Sequence, residues 1–255
     1  MNKDESALKS DSIILTQNQI ANVLLDSLNK HISKKTFEII IDNSILKADN
    51  FFNDNSSYAF IAVKDFKFMF YKLINNQWKQ LVVIDYIKDY MGFETKDING
   101  DNCPDFLLTD FYVYSNKSYK VLLFDCDKKT LNYFSTFDGV FNPFYDDSTK
   151  LINSFMFTNH GEIEKETYKL NSDSLYLVEK VTLDGIGVED RESNKFVINH
   201  YVNYNNKLKL IKSIKLTNYD SATKTFDNLL FNYFIKNDHK QKLLCSEGWV
   251  QLGTN

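Results

Sequence analysis

The residues with the clearest chemical potential lie in one short segment, Asp97-Ile98-Asn99-Gly100-Asp101-Asn102-Cys103-Pro104-Asp105, followed directly by the apolar Phe106-Leu107-Leu108. Side-chain oxygens recur at its first, third, fifth and ninth positions. A tight loop with this spacing can surround a hard cation, and Ca²⁺ takes about six to eight oxygen ligands in proteins. The sequence therefore predicts a Ca²⁺ site, whose ligands are Asp97, Asn99, Asp101, the backbone carbonyl of Cys103, and Asp105.

The segment differs from an EF-hand loop. An EF-hand has glycine at its sixth position and glutamate at its twelfth, where this chain has Asn102 and Leu108. The apolar run that follows predicts a β-strand instead of a second helix. Three carboxylates held close together repel one another when no cation is present. The alternative interpretation is a solvated turn rich in Asn and Asp that binds no ion.

The pattern Asp-Ile-Asn-Gly-Asp-x-x-x-Asp before a short apolar strand resembles the calcium loop of FG-GAP/VCBS-type repeats, the modules of integrin-like propellers. Asn76-Gln77-Trp78-Lys79 resembles the tryptophan-containing strand that often precedes such a loop. Further segments are similar to a bacterial periplasmic family, which includes inhibitors of invertebrate-type lysozyme and immunity proteins of secretion systems. They are Asn142-Pro143-Phe144-Tyr145-Asp146, Lys150-Leu151-Ile152-Asn153-Ser154, Gly161 and Tyr168.

This resemblance, over roughly residues 45–180, implies a calcium-binding, non-enzymatic protein that binds a protein partner. Within the family that partner would be a lysozyme-like enzyme or a toxin effector, so the role would be that of an inhibitor or immunity protein. The expected location is the periplasm or cell surface after removal of a signal, and a lipid anchor lost with that signal is compatible with it. If Met1 is native, the cytoplasm is the alternative location.

Composition limits the classes of partner. The formal charge is −4, and Arg191 is the single arginine. The chain therefore has no electrostatic reason to bind nucleic acid, and it is poor in the guanidinium groups that grip phosphate. The sequence contains no run of about 18 apolar residues, so it predicts no transmembrane helix. Of the three cysteines, Cys103 and Cys126 flank one predicted hairpin and could pair in an oxidising compartment. The alternative, which the sequence favours equally, is that Cys103, Cys126 and Cys245 are three separate thiols.

The hydrophobic pattern predicts an all-β protein with one N-terminal helix. Thr16 and Gln19 form a capping-box pattern, and apolar residues then recur at helical spacing from Ile20 to Ile32. Beyond residue 35, short apolar segments alternate with polar turns, which is typical of antiparallel sheets. The segments predicted as strands are Phe37–Ile41, Tyr58–Val63, Phe66–Leu73, Gln80–Ile84, Phe106–Tyr114, Tyr119–Phe124, Ile152–Phe157, Tyr168–Leu170, Leu175–Leu183, Phe196–Val202, Leu208–Leu216, Leu229–Ile235 and Trp249–Leu252.

We predict an N-terminal extension and helix over residues 1–34 and a single β domain over 35–255. A weak internal repeat, in which residues 51–61 align with 97–107, favours a propeller-like part over about 45–135. The first copy has Phe51, Asn55 and Ala59 where the second has aspartate, so it is expected to bind no ion. Because later strands lack the repeat, a partial propeller-like architecture and a β-sandwich both remain open.

Catalytic motifs are scarce, which favours a protein without enzymatic activity. The sequence has no GxSxG, HExxH, P-loop or GxGxxG motif. The neighbouring Asp146 and Asp147 could be paired carboxylates for glycoside chemistry, although a solvated turn is the simpler interpretation. The alternative function is accordingly a carbohydrate- or cell-wall-processing enzyme with carboxylates on its loops.

Overall fold

The computed structural model describes residues 15–88, 90–113, 116–157, 162–172, 174–184 and 196–216. These residues form three antiparallel sheets and one α-helix, so the predicted all-β class with an N-terminal helix is confirmed. Contacts within the chain separate two compact units, Met1–Tyr90 and Met91–Asn255. The domain boundary predicted at residue 34 lies inside the first unit.

The helix of the first unit begins where the sequence places its cap. Helix α1 spans Gln17–Lys30, and both hydrogen bonds of the capping box are present: Gln19 N donates to Thr16 Oγ1 and Thr16 N donates to Gln19 Oε1. Its buried residues are Ile20, Ala21, Leu24 and Leu28. Val23, by contrast, is 41% exposed, so the buried face of α1 does not include every apolar residue of the helix.

The sheet of the first unit is a five-stranded meander in which each strand pairs with its neighbour in sequence. Its strands are β1 (Phe37–Ile41), β2 (Ser44–Asp49), β3 (Tyr58–Val63), β4 (Lys67–Ile74) and β5 (Gln77–Ile84).

The two central strands of this sheet, β3 and β4, are buried on both faces. Met69 and Tyr71 belong to the core that packs against α1. The alternate residues Phe68 and Phe70 lie on the opposite face, where they contact each other and further aromatic rings. The alternation of side chains along β4 therefore does not separate a core face from a solvent face, since both faces carry buried apolar residues.

The second unit contains the other two sheets, and both are again meanders. The four-stranded sheet consists of β6 (Phe93–Lys96), β7 (Asp105–Val113), β8 (Asn116–Asp125) and β9 (Thr130–Tyr133). The six-stranded sheet consists of β10 (Phe144–Asp146), β11 (Leu151–Phe157), β12 (Ile163–Leu170), β13 (Leu175–Asp184), β14 (Phe196–Tyr204) and β15 (Lys207–Leu216).

The two sheets of the second unit share a core, which gives this unit a sandwich-like construction. Leu107 and Val121 from the four-stranded sheet pack with Ile152 from the six-stranded sheet. Ile98, inside the loop between β6 and β7, is fully buried in the same cluster. The candidate calcium loop is thus anchored directly in the core of its unit.

Asparagine and aspartate supply most of the turn geometry. Among the described residues, every non-glycine residue with positive φ is Asn or Asp, except Lys129 and Lys150. Two-residue turns with both residues at positive φ close the hairpins β1–β2, β4–β5 and β14–β15, at Asp42-Asn43, Asn75-Asn76 and Asn205-Asn206. This is the geometry that type I′ hairpins require.

Some sequence predictions fall outside the described residues. They concern the strands Leu229–Ile235 and Trp249–Leu252, the cysteine Cys245 and the motif residue Gly161. Within the described part of the chain, no helix has the length and apolar character needed to cross a membrane.

Candidate functional site

The predicted calcium segment connects β6 to β7 and continues without a break into β7, whose first residue is Asp105. The loop part of the weakly similar first copy, residues 51–57 of 51–61, occupies the equivalent connection between β2 and β3. In both copies the loop joins one strand of a meander to the next. The internal repeat in the sequence therefore corresponds to a repeated structural position.

Asp97 organises the first half of the loop. Its carboxylate accepts hydrogen bonds from three backbone amides, those of Asn99 at 3.2 Å, Gly100 at 2.6 Å and Asn102 at 2.8 Å. Gly100 and Asn102 both have positive φ. The chain therefore curls around this single side chain, and the side chain satisfies amides that have no partner in a sheet.

Asn99 and Asp101 form a second layer of contacts. Asn99 Oδ1 accepts from the amide of Asp101 at 3.0 Å, and Asp101 Oδ1 accepts from the amide of Cys103 at 2.8 Å. The side-chain amide of Asn99 donates to Asp101 Oδ2 at 2.9 Å. The structure thus links Asn99, Asp101 and Cys103 in one local network, with Asp101 exposed at its outer end.

Asp105 closes the loop from inside the protein. Its side chain is fully buried, Oδ2 accepts from the amide of Ile98 at 3.0 Å, and Oδ1 accepts from the amide of Phe124 in β8 at 2.8 Å. Burial raises the pKa of Asp105 to about 7. The two backbone hydrogen bonds oppose this shift, whereas the charges of Asp101 and Asp97 add to it.

A disulfide fixes the far end of the loop. Cys103 is bonded to Cys126, which immediately follows β8, with their Cα atoms 6.1 Å apart. These two cysteines are therefore paired, which is one of the two alternatives that the sequence left open. Asp105 and the disulfide together tie the loop to β8 at two points.

Tyr145 contacts the loop, although the sequence pattern gives it no role there. Gly100 has a φ of +79°, and a Cβ at this position would overlap the ring of Tyr145 in β10. Glycine is therefore needed at position 100 for two reasons: the backbone has a positive φ, and the ring of Tyr145 approaches closely. Nothing in the local sequence signals this contact, because Tyr145 belongs to a strand of the six-stranded sheet, distant in sequence from the loop.

The loop retains acceptor capacity for a cation. Each carboxylate oxygen has two lone pairs, and Oδ2 of Asp97 and both oxygens of Asp101 accept one hydrogen bond each. Such an all-oxygen set suits Ca²⁺. Across the described ranges, however, no three or more His, Cys, Asp or Glu side chains are grouped as a metal site. Calcium binding therefore stays a prediction from donor chemistry.

The first copy of the loop is built on different contacts. Asp54 accepts hydrogen bonds from Ser56 and from the hydroxyl of Tyr58, while Phe51 and Phe52 are buried. Asn53 and Asn55 provide the positive φ values. Aromatic burial thus replaces the aspartates that close the second copy.

Asp146 and Asp147, the possible catalytic pair, lie where β10 turns into β11. Asp146 accepts from the amide and hydroxyl of Ser148. Partial burial acts to raise the pKa of Asp146, but the hydrogen bonds from Ser148 and Thr149 outweigh it and hold the pKa below its usual range. The side chain of Asp147 is 89% exposed and pairs with Lys150. This arrangement is that of a solvated turn.

Other residues of the family resemblance tie strands together. The side chain of Asn142 donates to the carbonyl of Phe155 in β11 at 2.9 Å and accepts from the amide of Lys117 in β8 at 3.0 Å. Ser154 Oγ donates to the carbonyl of Phe141 at 2.7 Å. These residues connect the two sheets of the second unit, so their arrangement serves the fold.

Comparisons with known proteins add little beyond the fold. No protein family and no curated protein sequence matches the chain. Among the solved structures that match, that of a Xanthomonas type IV secretion system related protein aligns with a TM-score of 0.42 and 16% sequence identity. The alignment covers 71% of this chain and 95% of the other. A likeness this distant says nothing about the function of this chain.

Proposed function

We propose that this chain is a non-enzymatic, extracytoplasmic protein that binds a protein partner, and that Ca²⁺ stiffens its 97–105 loop. The proposal is carried by one observation, the double anchoring of this loop. Asp105 hydrogen-bonds it to β8 from within the core, and the Cys103–Cys126 disulfide bonds its other side to the end of β8. Disulfides persist mainly in oxidising compartments, which supports the extracytoplasmic location.

A stiff loop is an advantage for recognition. Ordering of side chains and loops at an interface costs free energy, so a loop already held in place loses less on binding. In the 97–105 loop the backbone amides of Gly100 and Asn102 already donate to the carboxylate of Asp97, and Ile98 is buried beneath the loop. The exposed part, at Asp101 and Asn102, is left to face a partner.

The chain's own oxygens are the proposed cation ligands. Asp97, Asn99 and Asp101 supply side-chain oxygens, Cys103 its carbonyl, and Asp105 a buried carboxylate. Bound Ca²⁺ would supply positive charge that offsets the mutual repulsion of the three aspartates. This repulsion is one cause of the raised pKa of Asp105.

The finer proposal, that the partner is a lysozyme-like enzyme or a toxin effector, comes from the family resemblance of the sequence. On this view the protein is an inhibitor or immunity protein. We expect no turnover of peptidoglycan or simple glycosides by the purified protein. Hydrolysis of a cell-wall substrate that is lost in D146A or D147A would overturn the non-enzymatic assignment in favour of the alternative enzyme.

The calcium part is tested by thermal unfolding of the full chain in about 10 mM Ca²⁺ and in chelator. Loops of extracellular modules bind Ca²⁺ with dissociation constants of about 10⁻⁴–10⁻³ M, so stabilisation of about 1.4–2.7 kcal/mol is expected. This corresponds to a rise in Tm of roughly 3–10 °C. The double variant D97A/D101A should lose this rise.

The matched control is D147A, which removes an exposed carboxylate from a different turn and should keep the full shift. Mg²⁺ at the same concentration should stabilise less, since it requires a smaller octahedral site. An identical Tm for wild type in Ca²⁺ and in chelator would overturn the calcium assignment.

A further inference from the structure

The last described strand, β15, lies at the edge of the six-stranded sheet. The order of this sheet is β10 to β15 in sequence, so β15 pairs with β14 on one side. Among the described residues, no strand pairs with its other side. An exposed strand edge presents backbone donors and acceptors on which a further strand can form.

Three apolar side chains of this strand are exposed. Leu208 is 44% exposed, Leu210 48% and Ile211 54%. The register with β14 shifts between His200 and Tyr201, so Ile211 is the additional residue of a bulge. Exposed apolar side chains on an edge strand favour association with another chain.

The same strand is strongly basic. Lys207, Lys209, Lys212 and Lys215 all lie within β15, and the strand contains no Asp or Glu. None of these four lysines forms an ion pair with another described residue. The chain as a whole has a formal charge of −4, so this local positive charge differs in sign from the rest of the molecule.

We propose that the outer edge of β15 binds an extended, acidic segment of a protein partner as an additional β-strand. Backbone hydrogen bonds would supply affinity, as in other cases of strand addition. Acidic side chains opposite the lysines, and apolar side chains against Leu208 and Leu210, would supply specificity. This inference rests on the proposed function, because it names the surface and the chemistry of the protein partner.

Two other occupants fit the charge less well. A second copy of this chain would bring an equally lysine-rich strand to this edge, and lysines on an edge strand oppose pairing with a strand of the same charge. The predicted strand Leu229–Ile235 of the same chain, Leu-Leu-Phe-Asn-Tyr-Phe-Ile, contains no charged residue. It could cover apolar side chains, but it offers the lysines no partner. An acidic segment matches both features of β15.

The test uses the full chain and two fluorescent ten-residue peptides, one of alternating Glu and Val and the other of alternating Lys and Val. Fluorescence anisotropy should show at least about tenfold tighter binding of the glutamate peptide, weakening as salt is added. The variant K209E/K212E leaves β15 with two lysines and two glutamates and should abolish the preference. K79E is the matched control, since it changes an exposed lysine on β5, an edge strand of another sheet, and should leave the preference unchanged.

Hydrogen exchange locates the bound peptide. The glutamate peptide should slow exchange in β15 and leave β1 and β5 unchanged. Equal binding of both peptides, an equal effect of K79E and K209E/K212E, or β15 amides already fully protected in the free chain would each overturn the proposal. In the last case the edge is covered by the chain itself.

Failure of this inference is distinguishable from failure of the proposed function. A native envelope protein that binds wild type and K209E/K212E equally would overturn β15 as the surface and leave the protein-binding function in place. Selective binding of the glutamate peptide, when no envelope protein binds at all, would support the surface and count against the function.

Discussion

A single buried carboxylate, Asp105, links the loop chemistry to the stability of the protein. It is fully buried, and its two oxygens bond amides from the loop and from β8. Loss of the side chain would leave two buried amides without acceptors, which costs about 1–3 kcal/mol for each such group. Asp101, at the other end of the same network, is exposed, so its replacement in chelator should have a much smaller effect.

The pKa of Asp105 predicts a pH dependence for the metal-free protein. Because its folded pKa is raised from 3.8 to about 7, the folded state binds a proton more readily than the unfolded chain does. The stabilisation from this group is fully present below pH 3.8 and is lost as the pH rises through about 7. Its full size is up to about 4 kcal/mol. Urea unfolding in chelator, from pH 4 to 8, measures this slope.

The control for this prediction is D105N, which cannot titrate. The variant should be less stable at every pH, since an amide nitrogen cannot accept the second hydrogen bond. Its stability should nevertheless depend less on pH than that of wild type between pH 4 and 7. Parallel curves for the two proteins would contradict the raised pKa.

At the scale of the elements, the contact between Gly100 and Tyr145 can be isolated by comparing two glycines. Gly100 and Gly139 have nearly the same φ, +79° and +81°, but only Gly100 is crowded, by the ring of Tyr145. We expect G139A to cost about 1 kcal/mol, the penalty of the left-handed conformation. G100A should cost about 2–4 kcal/mol, since overpacking adds about 1–3 kcal/mol to that penalty. Urea unfolding of both variants gives the difference.

Measuring G100A in the Y145A variant isolates the contribution of the Tyr145 ring. In Y145A the cost of G100A should fall to that of G139A, because the ring that a Cβ would meet is gone. An unchanged cost would mean that backbone conformation alone accounts for the glycine. The comparison also reports whether the loop and β10 are coupled in solution.

The sequence predicts the long elements well, for reasons that particular residues make clear. Helix α1 has a capping box and a periodic apolar stripe, and strands such as Tyr58–Val63 match their predicted limits because each is a continuous apolar run between polar turns. Four strands were not predicted: β2, β6, β9 and β10. Three of them have three or four residues, too few to show a period. The signal for β2 was present in the Asp42-Asn43 turn, a pair that acts here in place of Asn-Gly.

The candidate site was predictable only in its local part. The spacing of Asp97, Asn99, Asp101 and Asp105 indicated a folded loop, and hydrogen bonds to neighbouring amides make that loop. The amide of Phe124 and the ring of Tyr145 come from other strands, so spacing within the segment could not reveal them. The spacing of residues predicts contacts between neighbours in sequence. Contacts with residues distant in sequence depend on how the strands are arranged in the sheets.

For the whole molecule, the most consequential covalent feature is the Cys103–Cys126 disulfide, which closes a segment with a sequence separation of 23. A cross-link of this length restricts the unfolded chain by about 3 kcal/mol in the chain-entropy account. We expect C103S/C126S to lose about that much stability in urea unfolding. Wild type treated with a thiol reductant should fall to the same level, whereas the reductant should not change the variant further.

The disulfide also affects how strongly the loop is expected to bind Ca²⁺, and this effect depends on the compartment in which the protein is produced. With the loop released from the end of β8, its ligands are ordered less well before binding, so the rise in Tm caused by Ca²⁺ should shrink in C103S/C126S. Protein produced in a reducing cytosol should show the weaker response, and protein produced in the periplasm the stronger one. A full Ca²⁺ response in the reduced protein would contradict the view that the disulfide prepares this loop, and would leave Asp105 as its principal anchor.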